Sequence, residues 1–259
     1  MDVQIVEDSQ QIESFMDIIK SAWKSESALS GFKDTIHSMA FHGGIVLAAY
    51  DGGKMVGISF AYPGYRHGHV YLYSHMTGVL DDKKYSGAGY ELKMMQKKLA
   101  LEYGYDLIAW TFDPVMSLNG HFNIGKLGAI SRTYIDNFYG IMNDGINKGL
   151  PTDRLVAEWH IKTEFDRHYD NPYYMNGFDG NKMYVNEDYS HEYIALKLMK
   201  NFMDLKNSRL AEAVEIKLKL RDAMHALFKN GYTIINFDKE SNAYILKKNF
   251  KLNENNIFI

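Results

Sequence analysis

Apolar positions recur along the chain with two periods, and the switches between them divide it into elements. VQIV (3–6) reads as a short strand. From Ile12 the pattern turns helical, with Ile12, Phe15, Met16, Ile19, Ala22 and Trp23 on one arc and Asp8 and Gln11 spaced as a capping box. A weaker helix is predicted over 30–41, ending at Gly43-Gly44. IVLAAY (45–50), the turn Asp51-Gly52-Gly53 and KMVGISFAY (54–62) predict a β-hairpin. HVYLYSHMTGV (69–79) predicts a longer strand that delivers the chain into DDKKYSGAGYELKMMQKKLA (81–100). There two glycines flank an alanine just ahead of a helix marked by Leu92, Met95, Leu99 and Tyr103 and ending near Gly104.

Beyond it, DLIAWTF (106–112) predicts a buried strand stopped by Asp113-Pro114, then a short helix over 118–127 ending at Gly128. Strands are expected at about 129–139 and 154–162, followed by a polar, Tyr- and Asn-rich stretch over 163–190 that reads as a long excursion. EYIALKLM (192–199) resumes strand alternation. A long helix over 209–229 sets Leu210, Val214, Leu218, Met224 and Leu227 near one face, and YTIINF and AYILKK close the chain as strands. The alternation of strands and helices gives a mixed α/β (α+β) class.

Composition narrows the function more than the fold. The 259 residues are 46% hydrophobic and 24% charged, ordinary for a globular protein. A net charge of −3 argues against a nucleic-acid-binding protein. No apolar run reaches the ~18 residues that span a bilayer, so no membrane partner is expected. The start, MDVQIVEDSQ, lacks a basic, apolar leader, and there is no cysteine; both fit a cytoplasmic setting. Thiolate chemistry and cysteine-based zinc sites are thereby excluded. The ten histidines scatter; Arg66-His67-Gly68-His69 and the His160–His168 pair lack a third ligand at convincing spacing, so no metal is expected.

The glycines before the helix leave two readings open: a tight turn with a solvated lysine face, or backbone laid bare for an anion at a helix N-terminus. Neither a P-loop nor a complete dinucleotide fingerprint is present. Lys84-Tyr85-Ser86-Gly87-Ala88-Gly89 instead forms a [Q/R/K]-x-x-G-x-G loop between a long strand and an amphipathic helix, with Thr77-Gly78-Val79 eight residues before Gly87. Asn119 and Leu127-Gly128-Ala129 fall downstream as an Asn-led helix ending in Leu-Gly. On these residues the chain resembles the GNAT superfamily of acetyl-CoA-dependent N-acetyltransferases. WTFDPV, NIGKLGA, DNFYG and LPTDRLVAEW are similar to a branch of that superfamily with a long C-terminal extension.

The resemblance implies a central mixed, mostly antiparallel sheet flanked by helices over residues 1–162, and a β-α-β-β extension over 163–259 that shapes the acceptor site. It implies acetyl-CoA as co-substrate, its pyrophosphate facing the amides of Tyr85 through Tyr90 and its pantetheine arm alongside Thr77, Gly78 and Val79, with support from Asn119. Lys83, Lys84, Lys93, Lys97 and Lys98 would make that neighbourhood basic. The acceptor implied is a small-molecule or peptide amine, and a homo-oligomer is left open.

The chemistry needs a proton acceptor for the amine, an oxyanion donor and an acid for the thiolate. Many relatives place a Tyr four residues before the motif's Gly as the acid, and here that position is Ile124. Tyr134 and Tyr139 are the substitutes, each also readable as core aromatics. His75, on the strand before the loop, is the candidate base, with Asp113 and Glu158 behind it; a packing role for His75 stays open. A GNAT-like domain that binds acyl-CoA as a sensor without turnover also stays open, favoured by Ile124.

Overall fold

The computed structural model describes residues 1–6, 8–23, 32–252 and 255–259; residues 30–31 of the expected second helix lie outside them. Contacts gather the chain into two compact units, the first made of Met1–Trp110, Asp144–Ile146 and His160–Thr163, the second of Thr111–Asn143, Asn147–Trp159 and Glu164–Ile259.

In the first unit the chain runs β1 (Asp2–Ile5), α1 (Ser9–Glu13), α2 (Phe15–Trp23), α3 (Phe32–Phe41), β2 (Ile45–Asp51), β3 (Lys54–Arg66), β4 (His69–Val79), α4 (Ala88–Glu102) and β5 (Leu107–Phe112), the last carrying the chain into the second unit. The strands lie in the order β1-β2-β3-β4-β5, antiparallel except for β4 with β5. Asp8 caps α1 through the amide of Gln10 rather than in a box with Gln11, and the single helix expected over 12–23 breaks at Ser14. Two-residue turns at Gly52-Gly53 and His67-Gly68, all at positive φ, close the β2–β3 and β3–β4 hairpins with the twist strands require. Val6, Ile12, Phe15, Ile18, Ile19, Ile36, Val46, Ala48, Ile58 and Phe60 pack into one core between helices and sheet. Each large side chain so buried contributes about 1.5–3 kcal/mol.

The second unit opens with α5 (Ser117–Gly120), which passes into a π-helical stretch over His121–Lys126. Leu127 N donates to Phe122 O at 2.9 Å, and Gly128, at φ +81°, ends it. Next come β6 (Tyr134–Ile135), β7 (Arg154–His160), β8 (Tyr173–Tyr174), β9 (Asn176–Asp179), β10 (Lys182–Val185), β11 (Tyr193–Lys197), α6 (Phe202–Ser208), α7 (Leu210–Lys229), β12 (Tyr232–Asp238) and β13 (Ala243–Lys248). A four-stranded sheet runs β12-β13-β11-β8, and β9 and β10 form a separate hairpin. The β-α-β-β order expected after residue 163 is present as β11, α6–α7, β12 and β13. The long excursion over 163–190 is interrupted by three short strands, β8 to β10, between residues 173 and 185. The strand expected over 129–139 shrinks to β6 and the bridges Ile130↔Glu158 and Ser131↔Ile234. No described helix is long and apolar enough to cross a membrane.

Candidate functional site

Strand β4 carries a discontinuity that the sequence pattern does not announce. Phe60 pairs with Met76 and Ala61 with Ser74, so His75 is the extra residue of a β-bulge. On the other edge β4 pairs with β5 only at Leu72↔Ile108 and Tyr73↔Ala109. The β4–β5 ladder stops before Ser74 and Trp110, next in register, although both strands run on. The bulge thus coincides with a fork in the sheet. Leu80 N donates to Val56 O, and the two-residue alternation of an antiparallel ladder therefore turns the amides of Gly78 and Met76 to β3. Those of Thr77 and Val79 turn away from β3, to the side where the β5 ladder has ended.

Past Val79 the chain makes a 3-10 turn at Lys83–Tyr85, capped by Asp82, and enters α4 through Gly87. Gly87 sits at φ +109°, a left-handed conformation that favours glycine, and an added Cβ there would meet open space. Of the amides over 84–90, four are used internally. Lys84 N donates to Asp82 Oδ1, Tyr85 N to Asp82 O, Ser86 N to Lys83 O and Tyr90 N to Gly87 O. Among the described residues the amides of Gly87, Ala88 and Gly89 meet no acceptor, a narrower set than the expected Tyr85-to-Tyr90 run. They stand at the positive end of α4 with Lys83 and Lys84 exposed beside them. Tyr85 is buried as an anchor. Three adjacent donors, a helix dipole and exposed ammonium groups fit a pyrophosphate, and outward amides on a parted strand fit an amide-bearing arm, so these residues suit coenzyme A.

No family model and no curated protein matches the chain. Solved structures do. Aminoglycoside 6'-acetyltransferase type Ii superposes with a TM-score of 0.50 at 18% identity, over 63% of this chain and 99% of its own. Naa20 of Chaetomium thermophilum, solved with a bisubstrate analogue, reaches 0.51 at 11% identity over 62% and 87%. The chain carries the GNAT fold. At these identities the likeness concerns the fold alone, and the chain extends well beyond it.

Within the GNAT fold the other sequence-selected residues separate by environment. His75 packs among the rings of Phe32, Phe60, Tyr62 and Tyr73, at centroid distances of 5.9–6.2 Å. Its Nδ1 is buried without a hydrogen-bond partner among the described residues, and burial lowers its pKa from the usual histidine value, so the imidazole is neutral near pH 7. Asp113 is buried and committed: Lys217 Nζ donates to Oδ2 at 2.8 Å and Arg154 stands 3.7 Å away. Glu158, also buried, accepts a forked pair of bonds from Arg132. Neither carboxylate is free to take a proton from an amine.

The two tyrosines differ as sharply. Tyr134 is buried, and its hydroxyl donates to Asp153 Oδ2 at 2.9 Å; burial, then the Asp153 charge, push its pKa well above the usual phenol range. Tyr139 is 41% exposed, its hydroxyl 3.2 Å from Thr111 Oγ1. Asn119 sits half-buried on α5, its side chain making no hydrogen bond among the described residues. Ile124 lies fully buried in the π-helical stretch, and Arg167 Nη1 donates to its carbonyl at 2.8 Å. Arg167 belongs to the DRHYDNPYY segment (166–174), which is therefore pinned at that point. A groove of about 670 Å³ in the second unit, edged by Lys197, Lys200, Asp204, Arg209 and Glu240, involves none of the selected residues. Lys93, counted with the basic patch, instead faces inward.

Proposed function

We propose that the protein is an acyl-CoA-dependent N-acyltransferase that moves an acetyl or other short acyl group to an amine, small-molecule or peptide. The observation that carries the reading is the fork: β4 turns the Thr77 and Val79 amides toward the side that β5 leaves, one turn before the free amides of Gly87 to Gly89. Acyl-coenzyme A supplies an activated thioester carbonyl when bound. The chain's own part is to hold the anionic end at Gly87–Gly89, to seat the arm along Thr77–Val79 with help from Asn119, and to offer the Val79 amide to developing negative charge on the carbonyl oxygen. His75, neutral at the bulge, accepts the amine's proton directly or through water. Tyr139 is the acid for the departing thiolate, because it is partly exposed and its hydroxyl meets the neutral Thr111, while that of Tyr134 is bound to Asp153.

The C-terminal extension, residues 163–259, shapes the acceptor site in this reading. The deciding experiment is calorimetric titration with acetyl-CoA followed by free-thiol release across small amines, polyamines, amino acids and peptides. Binding with amine-stimulated release is expected. Binding without release from any amine favours a sensor module, and absence of binding removes the proposal.

A further inference from the structure

Lys93 is an amine in the interior. It projects from the second turn of α4, is 3% exposed, and has no carboxylate partner among the described residues. Its Nζ donates to Ser74 Oγ on β4 at 2.7 Å and to Gln96 Oε1 at 3.2 Å, and it stands 3.8 Å from the centroid of the Trp110 ring on β5. Gln96 in turn donates to Ser59 Oγ on β3 at 3.0 Å, and Ser59 shares a hydrogen bond with Thr77. Ser74 and Trp110 are the first pair in register that the β4–β5 ladder fails to make. The side chain of Lys93 occupies the crotch of the fork and touches both arms.

A buried charge without a counterion is costly, and a methionine of similar length would fill the space without that cost. The amine's value must then lie in what its charge does. Protonated, it offers three donors and a cation to the face of an indole, tying β5's Trp110 and β4's Ser74 to one point. It also places a positive charge in a low-dielectric interior four to six residues along α4 from the Gly87–Gly89 donors, where an anion is stabilised more strongly than in water. We propose that Lys93 is a positioning residue whose ammonium fixes the opening of the β4–β5 fork and strengthens the fork's hold on coenzyme A. The inference rests on the coenzyme A reading above and adds to it a buried residue behind the strand pair.

Burial pushes the Lys93 pKa down to about 7, so the charge changes near neutrality. The groups facing it are uncharged: Ser74 of β4, Gln96 of α4, Trp110 of β5, and behind Gln96 Ser59 of β3 with Thr77. No ionisable group of α4, β1, β2, β3 or β4 among the described residues acts on it, burial being the sole cause of the shift. His75 lies among the rings on the other side of β4. A change in coenzyme A affinity near pH 7 that disappears with Lys93 is therefore attributable to this amine.

The test is calorimetric titration of wild type and Lys93→Met with acetyl-CoA from pH 6 to 8.5. Wild type is expected to bind about tenfold more tightly at pH 6 than the variant, within the usual range of coupling between sites, and the two are expected to converge by pH 8.5. A constant ratio between them across pH would make Lys93 a mere packing residue and overturn the inference, as would equal affinities. Should the variant fail to fold, lysine ¹³Cε NMR on the wild type answers the same question. If the protonated form binds better, coenzyme A must raise the Lys93 pKa by the reciprocal amount; an unmoved titration overturns the proposal. Absence of wild-type binding at every pH is a different result, which removes the coenzyme A reading and this inference with it.

Discussion

The Tyr139 hydroxyl lies 3.2 Å from Thr111 Oγ1, a neutral partner on β5, whereas 14 residues along the same stretch of chain Asp153 holds the Tyr134 hydroxyl at 2.9 Å. A proton donor to a thiolate must give up its proton and regain it each cycle. The Asp153 bond ties the Tyr134 proton down, and Tyr139 has no such tether. Tyr139→Phe is expected to lower turnover about a hundredfold, the scale of a general acid, with acetyl-CoA affinity unchanged. Tyr134→Phe is expected to keep turnover and to cost about 1–2 kcal/mol in denaturant unfolding, from the lost bond to a charged acceptor. A reversed pattern would exchange their roles.

His75 should betray itself in the pH profile. Its pKa is lowered from 6.5 by burial, so the base is already deprotonated at neutrality and loses competence only as pH falls below that value. Turnover should thus fall on an acid limb beginning under pH 6.5. His75→Gln is expected to lose about a hundredfold in turnover, to abolish that limb and to leave acetyl-CoA binding intact. A retained limb with a near-normal rate would reduce His75 to a packed ring. With Asp113 and Glu158 held by Lys217 and Arg132, water-relayed deprotonation without a dedicated base would then follow.

The binding loop makes a separable prediction. Gly89→Val places a branched side chain beside the free amide of residue 89 and is expected to abolish calorimetric binding of acetyl-CoA while circular dichroism stays native. Asn119→Ala should weaken binding. Thr77→Val should leave affinity alone, because the implied contact is to backbone, but it removes the hydrogen bond to Ser59 Oγ and should cost about 1 kcal/mol of stability. Unchanged affinity in Gly89→Val would refute the loop assignment.

Sequence alone located β4 to the residue, the β2–β3 turn and the glycine entry to α4, because each depends on local rules of alternation and positive φ, whereas the His67-Gly68 turn that joins β3 to β4 was not read. It missed the buried lysines Lys93 and Lys217 for one shared reason. Helical faces were traced by apolar residues, so α4 was marked by Leu92, Met95 and Leu99, while the buried arc is Leu92, Lys93, Gln96, Leu99 and Ala100. In α7 the buried arc holds Ala213, Ile216, Lys217, Leu220 and Met224, leaving Leu210 and Leu218 about 40% exposed. A lysine inside an apolar arc, at i and i+3 or i+4 from its members, was the available signal in both helices. The bulge at His75 had no such signal, since the fork is set by pairing between strands distant in sequence. Asp113 and Glu158, the candidate bases behind His75, are likewise held by residues remote along the chain.

The Asp113–Lys217 pair tests that account of α7. Both groups are buried, and removing one leaves the other without its nearest counterion. Lys217→Met is expected to destabilise the protein by about 3–5 kcal/mol, read by urea unfolding. The pair replacement Asp113→Leu with Lys217→Met should recover much of the loss, since apolar groups of similar volume need no counterion. A Lys217→Met variant of wild-type stability would show that Asp113 is satisfied by Arg154 and Val115 N alone.

Lys93 makes the sharpest stability prediction, through the sign of its pH dependence. Its folded pKa is about 7 and its unfolded value 10.5. Between those limits the unfolded chain holds a proton that the folded protein has released, so stability rises with pH there, by about 1.4 kcal/mol per pH unit at full effect. Below pH 7 both states are protonated and the dependence vanishes. Buried tyrosines such as Tyr244, whose folded pKa lies well above 10, act in the opposite direction only beyond pH 10. Lys93→Met removes the amine and nothing else that titrates. Subtracting the variant's unfolding free energy from that of wild type, at intervals from pH 6 to 9.5, isolates the one group. The difference is expected to be flat to about pH 7 and then to climb in favour of wild type. A flat difference throughout would mean that the amine keeps its ordinary pKa, and hence that water reaches it.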